Sequence, residues 1–163
     1  VCVDWEREAM AAEAFGVRVV CVRIGIVLAR GGGALGKMLP PFKMGLGGRL
    51  GTGKQWMPWI HIDDLIGLLL HASESESMRG PVNASSPNPV TNAELTRALG
   101  KALGRPAFLP VPKTALRVAL GEMSKILLAS QRVVPDAAVA SGYAFRHAEL
   151  GDALGAVLSE RER

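Results

Sequence analysis

The chain has 163 residues and a mass of 17.2 kDa; 48% of its residues are hydrophobic, 21% are charged, and its net charge at pH 7 is +4. This composition is typical of an ordered globular protein with a substantial core, and it excludes a disordered chain. The Lys and Arg residues are scattered and no apolar run reaches about 18 residues, so we expect neither a nucleic-acid-binding surface nor a membrane span.

The first third of the chain predicts one helix, one strand and a long glycine-rich loop. Apolar residues at helical spacing predict a helix that ends at Gly16. These residues are Val1, Trp5, Ala9, Ala12 and Phe15. Residues 17–24 are dense in β-branched side chains, which favours a buried strand of a parallel sheet. Residues 31–54 contain nine glycines and two prolines, so we expect mostly loop, with a short helix around residues 34–39.

The middle of the chain predicts two short strands on either side of a helix. Residues 56–62 predict a short aromatic strand, and residues 81–86 predict a second one. Asp63 and Asp64 are expected at the start of the intervening helix, because carboxylates favour the positive end of the helix dipole. Asn83, in the second strand, is expected to tie neighbouring loops together through its amide.

The last part of the chain is mainly helical in its pattern. Thr91 and Glu94 predict a capping box for a helix that Gly104 ends, and several short helices follow. We therefore predict the α/β fold class, with an α/β portion over residues 1–109 and a small, mainly helical region over residues 110–163.

One glycine cluster has the spacing of a phosphate-binding loop. In RGGGALGKM, Gly31, Gly36 and Lys37 match the start of the motif G-x-x-x-x-G-K-[ST]. The motif also needs a hydroxyl side chain for Mg²⁺, and Met38 stands at that position. No clear acidic strand end supplies a second metal ligand. We therefore interpret this segment as a mobile glycine loop rather than as part of a nucleoside triphosphatase.

The cysteines indicate neither a disulfide framework nor a metal site. Cys2 and Cys21 lack CxxC spacing and have no histidine pair close in sequence. Cys21 lies in an apolar strand pattern, which is typical of a buried structural thiol. We expect no metal and a reducing, cytoplasmic location.

Several stretches together resemble the atypical extended short-chain dehydrogenase/reductases of an NAD(P)-dependent epimerase-like family. They are DWEREA, VRIGIVLARGGGALGKMLPPFKMGLGGRLGTGKQWMPWIHIDDL, GPVNASSPNPVTNAEL, RPAFLPVP and LLASQRVVPDAAVASGYAFRHAELGDAL. The resemblance covers essentially the whole chain in one register. It implies the C-terminal part of a Rossmann-like parallel sheet up to residue 109, followed by the family's small C-terminal domain of unknown function.

The same resemblance implies that much of the cofactor site lies outside this chain. The family's pyrophosphate-binding G-x-x-G-x-x-G motif would precede residue 1, so we expect a fragment that lacks the N-terminal Rossmann half. The cofactor implied is NADP, with NAD as the alternative, bound mostly by that other half. The lysine of the superfamily's Tyr-x-x-x-Lys pair would fall near Val1 or Cys2, and neither side chain can replace it. We therefore assign no catalytic residue.

The resemblance assigns binding residues to two regions. In extended reductases the backbone after the strand ending at residue 24 contacts the nicotinamide, which implies cofactor contacts at Gly25, Ile26 and Val27. Substrate contacts are implied on the glycine loop and on the aromatic strand. These residues are Lys37, Met38, Phe42, Trp56, Trp59 and His61.

Each of these assignments has a structural alternative. Residues 25–27 are also consistent with an ordinary strand end, and Lys37 with a solvated surface charge. Trp56 and Trp59, at alternating strand spacing, are typical of core residues. His61 is typical of a structural hydrogen-bonding residue rather than of a general base.

Two functions remain open. The first is the C-terminal portion of an NAD(P)-dependent oxidoreductase or epimerase-like protein that acts on an unidentified small molecule, the chain alone being inactive. The second is a reductase scaffold without turnover that serves in binding or regulation. Met57, aligned with an arginine of sugar-nucleotide enzymes, favours the second and argues against sugar-nucleotide substrates. We also expect the chain to self-associate through an exposed sheet edge at residues 17–24.

Overall fold

The computed structural model describes residues 1–159, except for the side chains at 119, 120, 123 and 126, and it has an α/β fold. Its strands are β1 (Val20–Ile24), β2 (Ile26–Leu28), β3 (Trp56–Met57), β4 (Trp59–His61), β5 (Gly80–Ala84) and β6 (Val90–Thr91). Its helices are α1 (Cys2–Met10), α2 (Gly33–Lys43), α3 (Ile62–Glu74), α4 (Asn92–Leu103), α5 (Lys113–Leu120), α6 (Met123–Leu128), α7 (Asp136–Ala140) and α8 (Leu150–Ser159).

The predicted fold class is confirmed. Two of the three strand pairs are parallel, as in Rossmann-like folds. None of the described helices is both long enough and apolar enough to cross a membrane. The division into regions 1–109 and 110–163 stays a prediction, and residues 160–163 of the second region lie outside the described residues.

The central strand of the fold changes its partner at Gly25. Before this residue β1 pairs in parallel with β5, and after it β2 pairs in parallel with β4. The Gly25 N–H donates to the Ala84 carbonyl at 3.0 Å, and the next residue, Ile26, donates to the Pro58 carbonyl at 2.7 Å. A Cβ atom at Gly25 would lie 2.8 Å from the Pro58 oxygen, so no other residue fits without a backbone shift.

The strand predicted over residues 17–24 is therefore shifted toward the C-terminus and divided. Pairing begins at Val20 and continues through β2 to Leu28. The aromatic strand predicted over residues 56–62 is likewise divided at Pro58, into β3, antiparallel to β6, and β4. A proline has no N–H group to donate to a ladder, which is a physical reason for a break at this point.

The paired strands β2 and β4 separate two hydrophobic cores because successive side chains on a strand point to opposite faces. Leu28 and Trp59 face the first core, which α2, α4 and α8 complete. Val27 and Ile60 face the second core, formed with α3, β5 and α7. The short β2 strand thus contributes side chains to both cores, and its position relative to β4 determines how they are packed.

Part of the segment predicted as a glycine-rich loop is helical. Helix α2 covers Gly33–Lys43, longer than the short helix predicted around residues 34–39. Leu35 and Phe42 are seven residues apart on one face of the helix and are both buried in the first core. This burial outweighs the cost of the two prolines near the end of the helix. Most of the segment that we expected to be a mobile loop therefore belongs to a helix that packs into the first core.

The predicted end signals of the first helical segment and of α4 are confirmed. The Thr91 side chain accepts a hydrogen bond from the Glu94 N–H while the Glu94 carboxylate accepts from the Thr91 N–H, which is a complete capping box. Gly104 ends α4 in the left-handed conformation at φ 61°. After α1, a short 3₁₀ helix at Ala11–Phe15 ends at Gly16, with φ 76°.

A buried carboxylate ties the C-terminal part of the chain to α3. Asp64 is 1% exposed and accepts hydrogen bonds from the backbone N–H groups of Arg146, at 2.7 Å, and His147, at 2.9 Å. The Tyr143 hydroxyl donates to the Asp64 backbone carbonyl at 2.9 Å. Asp64 was predicted only as a helix-start residue, and the structure adds this long-range role. It positions the segment that leads into α8.

We predict that Gly25→Ala destabilises the fold by about 1–3 kcal/mol, because the new methyl group would overlap the Pro58 carbonyl. Urea unfolding followed by circular dichroism measures the change. Gly155→Ala in α8 is the matched control: a Cβ there meets open space, so this change should be neutral or stabilise by up to about 1 kcal/mol. Equal stabilities for the Gly25→Ala and parent chains would contradict the close approach.

Tyr143 should ionise only at strongly alkaline pH. Burial, and secondarily the negative charge of Asp64, raise the pKa of Tyr143 to about 12 from its ordinary value of 10.0. The pKa of Tyr143 is higher in the folded chain than in the unfolded chain. Its contribution to the stability of the fold is therefore fully present below pH 10 and is lost as the pH rises toward 12.

Tyr143 is the chain's one tyrosine, so the ultraviolet absorbance of phenolate reports on this residue alone. We expect a titration midpoint near 12 in the folded chain and near 10 in denaturant. Tyr143→Phe should show no phenolate signal and should lose less stability across that pH interval. A midpoint near 10 in the folded chain would be incompatible with the packing of this side chain.

Candidate functional site

A cavity with a volume of about 760 Å³ lies at the carboxyl ends of β1 and β5. Helix α1 borders it on one side and the segment 131–137 on the other. Val22 and Val82 face the second core, so the alternation of the strands directs Arg23 and Asn83 to the opposite face, where the cavity lies. The site is therefore built from chain segments far apart in sequence.

An ion pair links α1 to the wall of the cavity. The Arg23 guanidinium donates to both carboxylate oxygens of Glu6, with distances of 2.7 and 2.6 Å. These hydrogen bonds lower the pKa of the Glu6 carboxyl and raise the pKa of Arg23. Since α1 contains no buried residue, this bidentate pair is the main polar contact that keeps the helix beside the sheet.

The opposite wall is attached to β5 through a side-chain amide. The Asn83 amide donates to the Val134 carbonyl at 3.1 Å, which confirms that Asn83 ties loops together. Immediately after this segment, Ala138 of α7 is fully buried in the second core. The hydrogen bond and the buried helix together hold residues 131–137 over the strand ends.

Arg132 and Trp56 form a second feature beside the cavity. The Arg132 guanidinium lies over the Trp56 indole ring, 5.5 Å from its centroid, in a cation–π contact. The Trp56 backbone N–H donates to the hydroxyl of Ser130 at 3.1 Å, which joins β3 to the segment that carries the arginine. Arg132 lines the cavity and forms no ion pair or hydrogen bond with any residue in the described range 1–159.

The three predicted cofactor residues lie together at the partner change of the central strand. Gly25 lines the cavity directly. The side chains of Ile26 and Val27 pack against the first and second cores, respectively, so any ligand contact at these positions would involve their backbone. Their role as nicotinamide contacts stays a prediction.

The predicted substrate residues are not assembled around this cavity. Lys37 is exposed on α2, Met38 packs against the first core, and Phe42 is 4% exposed within it. Trp59 is fully buried, and its indole N–H donates to the Asn88 carbonyl at 3.2 Å. Trp56 lies closest to the site, through its contact with Arg132. Their substrate roles stay predictions, and the burial of Phe42 and Trp59 favours the structural alternative.

Sequence reasoning missed the polar residues that do line the cavity. They are Glu6, Arg23, Asn83, Gln131, Arg132 and Asp136. Asn83 was noticed, but only as a loop tie. The available signal was weak: a Gln-Arg pair between two apolar runs is not a recognised motif. These residues meet only when the chain folds.

A third cluster, of two histidines and one carboxylate, lies at the start of α3. The His61 and His147 rings stack with centroids 3.8 Å apart. Asp63 Oδ2 lies 3.7 Å from His61 Nδ1 and 3.6 Å from His147 Nε2, and one ligand atom of each residue lies within 4.8 Å of the others. These are donors that a Zn²⁺ ion accepts.

The local hydrogen bonding of this cluster nevertheless favours a capping role. His61 Nδ1 already accepts the Asp63 backbone N–H at 3.1 Å, which makes His61 the N-cap of α3. A metal bound to the same nitrogen would break that cap, because its lone pair cannot serve both. This hydrogen bond supports the predicted structural role of His61. The cluster does not line the cavity.

Comparison with known proteins gives one family match and several longer relatives. A model of a domain of unknown function, DUF1731, matches residues 111–157. The chain is 44% identical over 158 residues to the chloroplastic epimerase family protein SDR39U1 homolog of Arabidopsis thaliana, covering 97% of this chain and 45% of that protein. Mouse epimerase family protein SDR39U1 is 50% identical over 143 residues, 87% of this chain and 49% of its own length.

Solved structures agree with the sequence comparisons. The crystal structure of human epimerase family protein SDR39U1 with NADPH matches with a TM-score of 0.84 and 46% identity, over 86% of this chain and 48% of that one. A nucleoside-diphosphate sugar epimerase from Corynebacterium glutamicum matches with a TM-score of 0.72 and 35% identity, over 96% and 30% of the two chains. The chain thus spans about half the length of the curated relatives it matches.

We predict that Glu6→Gln loosens α1, because it removes the carboxylate that holds Arg23. Hydrogen exchange followed by mass spectrometry should show faster exchange in residues 2–10. Glu8→Gln is the matched control, since Glu8 contacts only its neighbour Arg7 on the surface.

The pH dependence of this tie follows from the direction of the pKa shift. The folded pKa of Glu6 lies below its ordinary value of 4.5, so the tie contributes stability above that value and loses it as the pH falls through the lowered pKa. Unchanged exchange in the Glu6→Gln chain would mean that other contacts hold α1 in place.

Proposed function

We propose that this chain, a relative of the epimerase family proteins, forms the nicotinamide- and substrate-facing portion of an NAD(P)-dependent oxidoreductase or epimerase-like enzyme. The observation that carries the proposal is the cavity of about 760 Å³ at the carboxyl ends of parallel strands, beside Gly25. In open α/β sheets ligands bind in the crevice outside these strand ends. The NADPH in the structure of the human relative supports a nicotinamide cofactor.

The cavity suits the reactive end of such a cofactor together with a small substrate. Its volume lies within the range of about 300–1,000 Å³ that is usual for ligand sites. Ile24, Pro58 and Pro81 provide apolar surface against which a planar ring can pack, and Gly25 allows a close approach to the backbone. A bound nicotinamide supplies the hydride chemistry, while the residues of this chain bind and orient the substrate and exclude water.

The exposed apolar surface of residues 1–15, which include α1, supports the proposal that a separate unit binds the dinucleotide. Val1, Val3, Trp5 and Phe15 are 70–85% exposed. Within residues 1–159 no strand pairs with the second edge of β1, which pairs only with β5. A unit that adds a parallel strand beside β1 would cover this edge and the adjacent helix. In this proposal that unit binds the pyrophosphate, and the chain alone binds NADPH weakly and self-associates through the same surface.

The alternative function, a reductase scaffold without turnover, has no comparable supporting observation. No catalytic residue is assigned within this chain, so turnover in the proposed enzyme depends on groups that the cofactor-binding unit contributes. Hydride transfer therefore separates the two functions, and cofactor binding alone does not.

The proposal predicts that a chimera binds NADPH far better than the isolated chain. The part of human epimerase family protein SDR39U1 that this chain does not match, which in our proposal binds the pyrophosphate, is joined to this chain. Calorimetry should show NADPH binding at least roughly 100-fold tighter, about 2.7 kcal/mol, in the chimera than in the isolated chain. Light scattering should show less self-association in the chimera.

Two controls make this experiment decisive. Replacing a glycine of the borrowed pyrophosphate loop should abolish NADPH binding while circular dichroism shows an unchanged fold. Oxidation of NADPH is then followed with a panel of carbonyl substrates to test for turnover. A chimera that folds but does not bind NADPH, or an isolated chain that binds it equally tightly, would refute the proposed division of labour.

A further inference from the structure

The charges around the cavity leave one guanidinium without a partner. Of the two cavity arginines, Arg23 is neutralised by the bidentate Glu6 carboxylate. Arg132 has no carboxylate within ion-pair distance among residues 1–159, although Asp136 lies on the same wall at the start of α7. A guanidinium carries five N–H donors, and none of those of Arg132 has a described acceptor.

Arg132 is nevertheless held in place. Its guanidinium rests on the Trp56 indole, and β3 pairs this tryptophan with Thr91 of β6. Ser130, two residues before the arginine, accepts the Trp56 N–H and fixes the backbone next to the ring. A cation–π contact uses none of the N–H donors of the guanidinium, which therefore remain available to a ligand. A positioned cation with unused donors is the arrangement that binds oxyanions.

The surroundings of Arg132 define the rest of the ligand. The Asn83 amide nitrogen is used by the Val134 carbonyl, which leaves its side-chain oxygen as an acceptor, and the Gln131 side chain has no hydrogen bond within residues 1–159. The remaining walls are largely apolar, with Pro58 and Val133 among them. A ligand that matches this lining has one anionic group, a hydrogen-bonding group and an apolar body.

We propose that the cavity binds a small compound with a carboxylate or phosphate group, and that Arg132 determines this specificity by binding the oxyanion through two parallel N–H···O bonds. The identification of this compound as the substrate rests on the function proposed above, whereas the anion site itself does not. Arg132 is a binding residue here and takes no part in hydride transfer.

The test follows the indole N–H resonance of Trp56 by NMR during titrations of the chain at constant ionic strength. The probes are benzoate, phenyl phosphate and the uncharged benzamide, which share an apolar ring and differ in the group offered to Arg132. We expect saturable shifts with one or both anions and at least about 10-fold weaker binding of benzamide. The tighter of the two anions identifies the group as a carboxylate or a phosphate.

Three variants assign the binding to Arg132. Arg132→Gln should weaken anion binding at least about 10-fold, and Arg132→Lys, which keeps the charge but loses the planar fork, should give an intermediate value. Arg97→Gln removes the same charge from an exposed position on α4 and should change binding less than about twofold. Circular dichroism confirms that each variant is folded.

The same titrations on the NADPH-binding chimera separate this inference from the proposed function. Arg132-dependent anion binding in either sample supports the anion site, even if the chimera fails to bind NADPH. Anion binding absent from both samples, equal in Arg132→Gln and the parent chain, or matched by benzamide, would overturn it.

Discussion

The close contact between Gly25 and the Pro58 carbonyl is the constraint on which the other features depend. It lets one extended segment pair first with β5 and then with β4, and a side chain at this point would force the two backbones apart. Because β2 then contributes side chains to both hydrophobic cores, the close contact at Gly25 affects the packing of both. It also leaves Gly25 on the surface of the cavity, so the residue at this close contact borders the candidate site.

Polar contacts attach the remaining segments to the sheet. The two walls of the cavity are attached to the sheet by the Glu6–Arg23 ion pair and by the Asn83–Val134 hydrogen bond. Asp64 fixes the chain further on, since its buried carboxylate receives two backbone N–H groups. Asp64 is 1% exposed, so its carboxylate would be costly to bury without these two N–H donors.

The distribution of apolar surface links stability to the proposed function. The two cores are well buried, whereas the outer residues of α1 and one edge of β1 face solvent. An enzyme whose cofactor lies between two units needs such a surface, because the same contacts that join the units enclose the cofactor. The relatives of this chain are about twice as long as the part it matches.

The sequence by itself determined the α/β class, the capping box at Thr91 and Glu94, and the helix end at Gly104, because periodicity and capping act between neighbours along the chain. It left α2 too short, since the burial of Leu35 and Phe42 depends on partners elsewhere. Only the tertiary structure decided the site. Asn83 and Val134 lie 51 residues apart, and Arg132 meets Trp56 only after β3 and the segment before α7 have packed together. No local pattern encodes such contacts, because the packing of distant segments creates them.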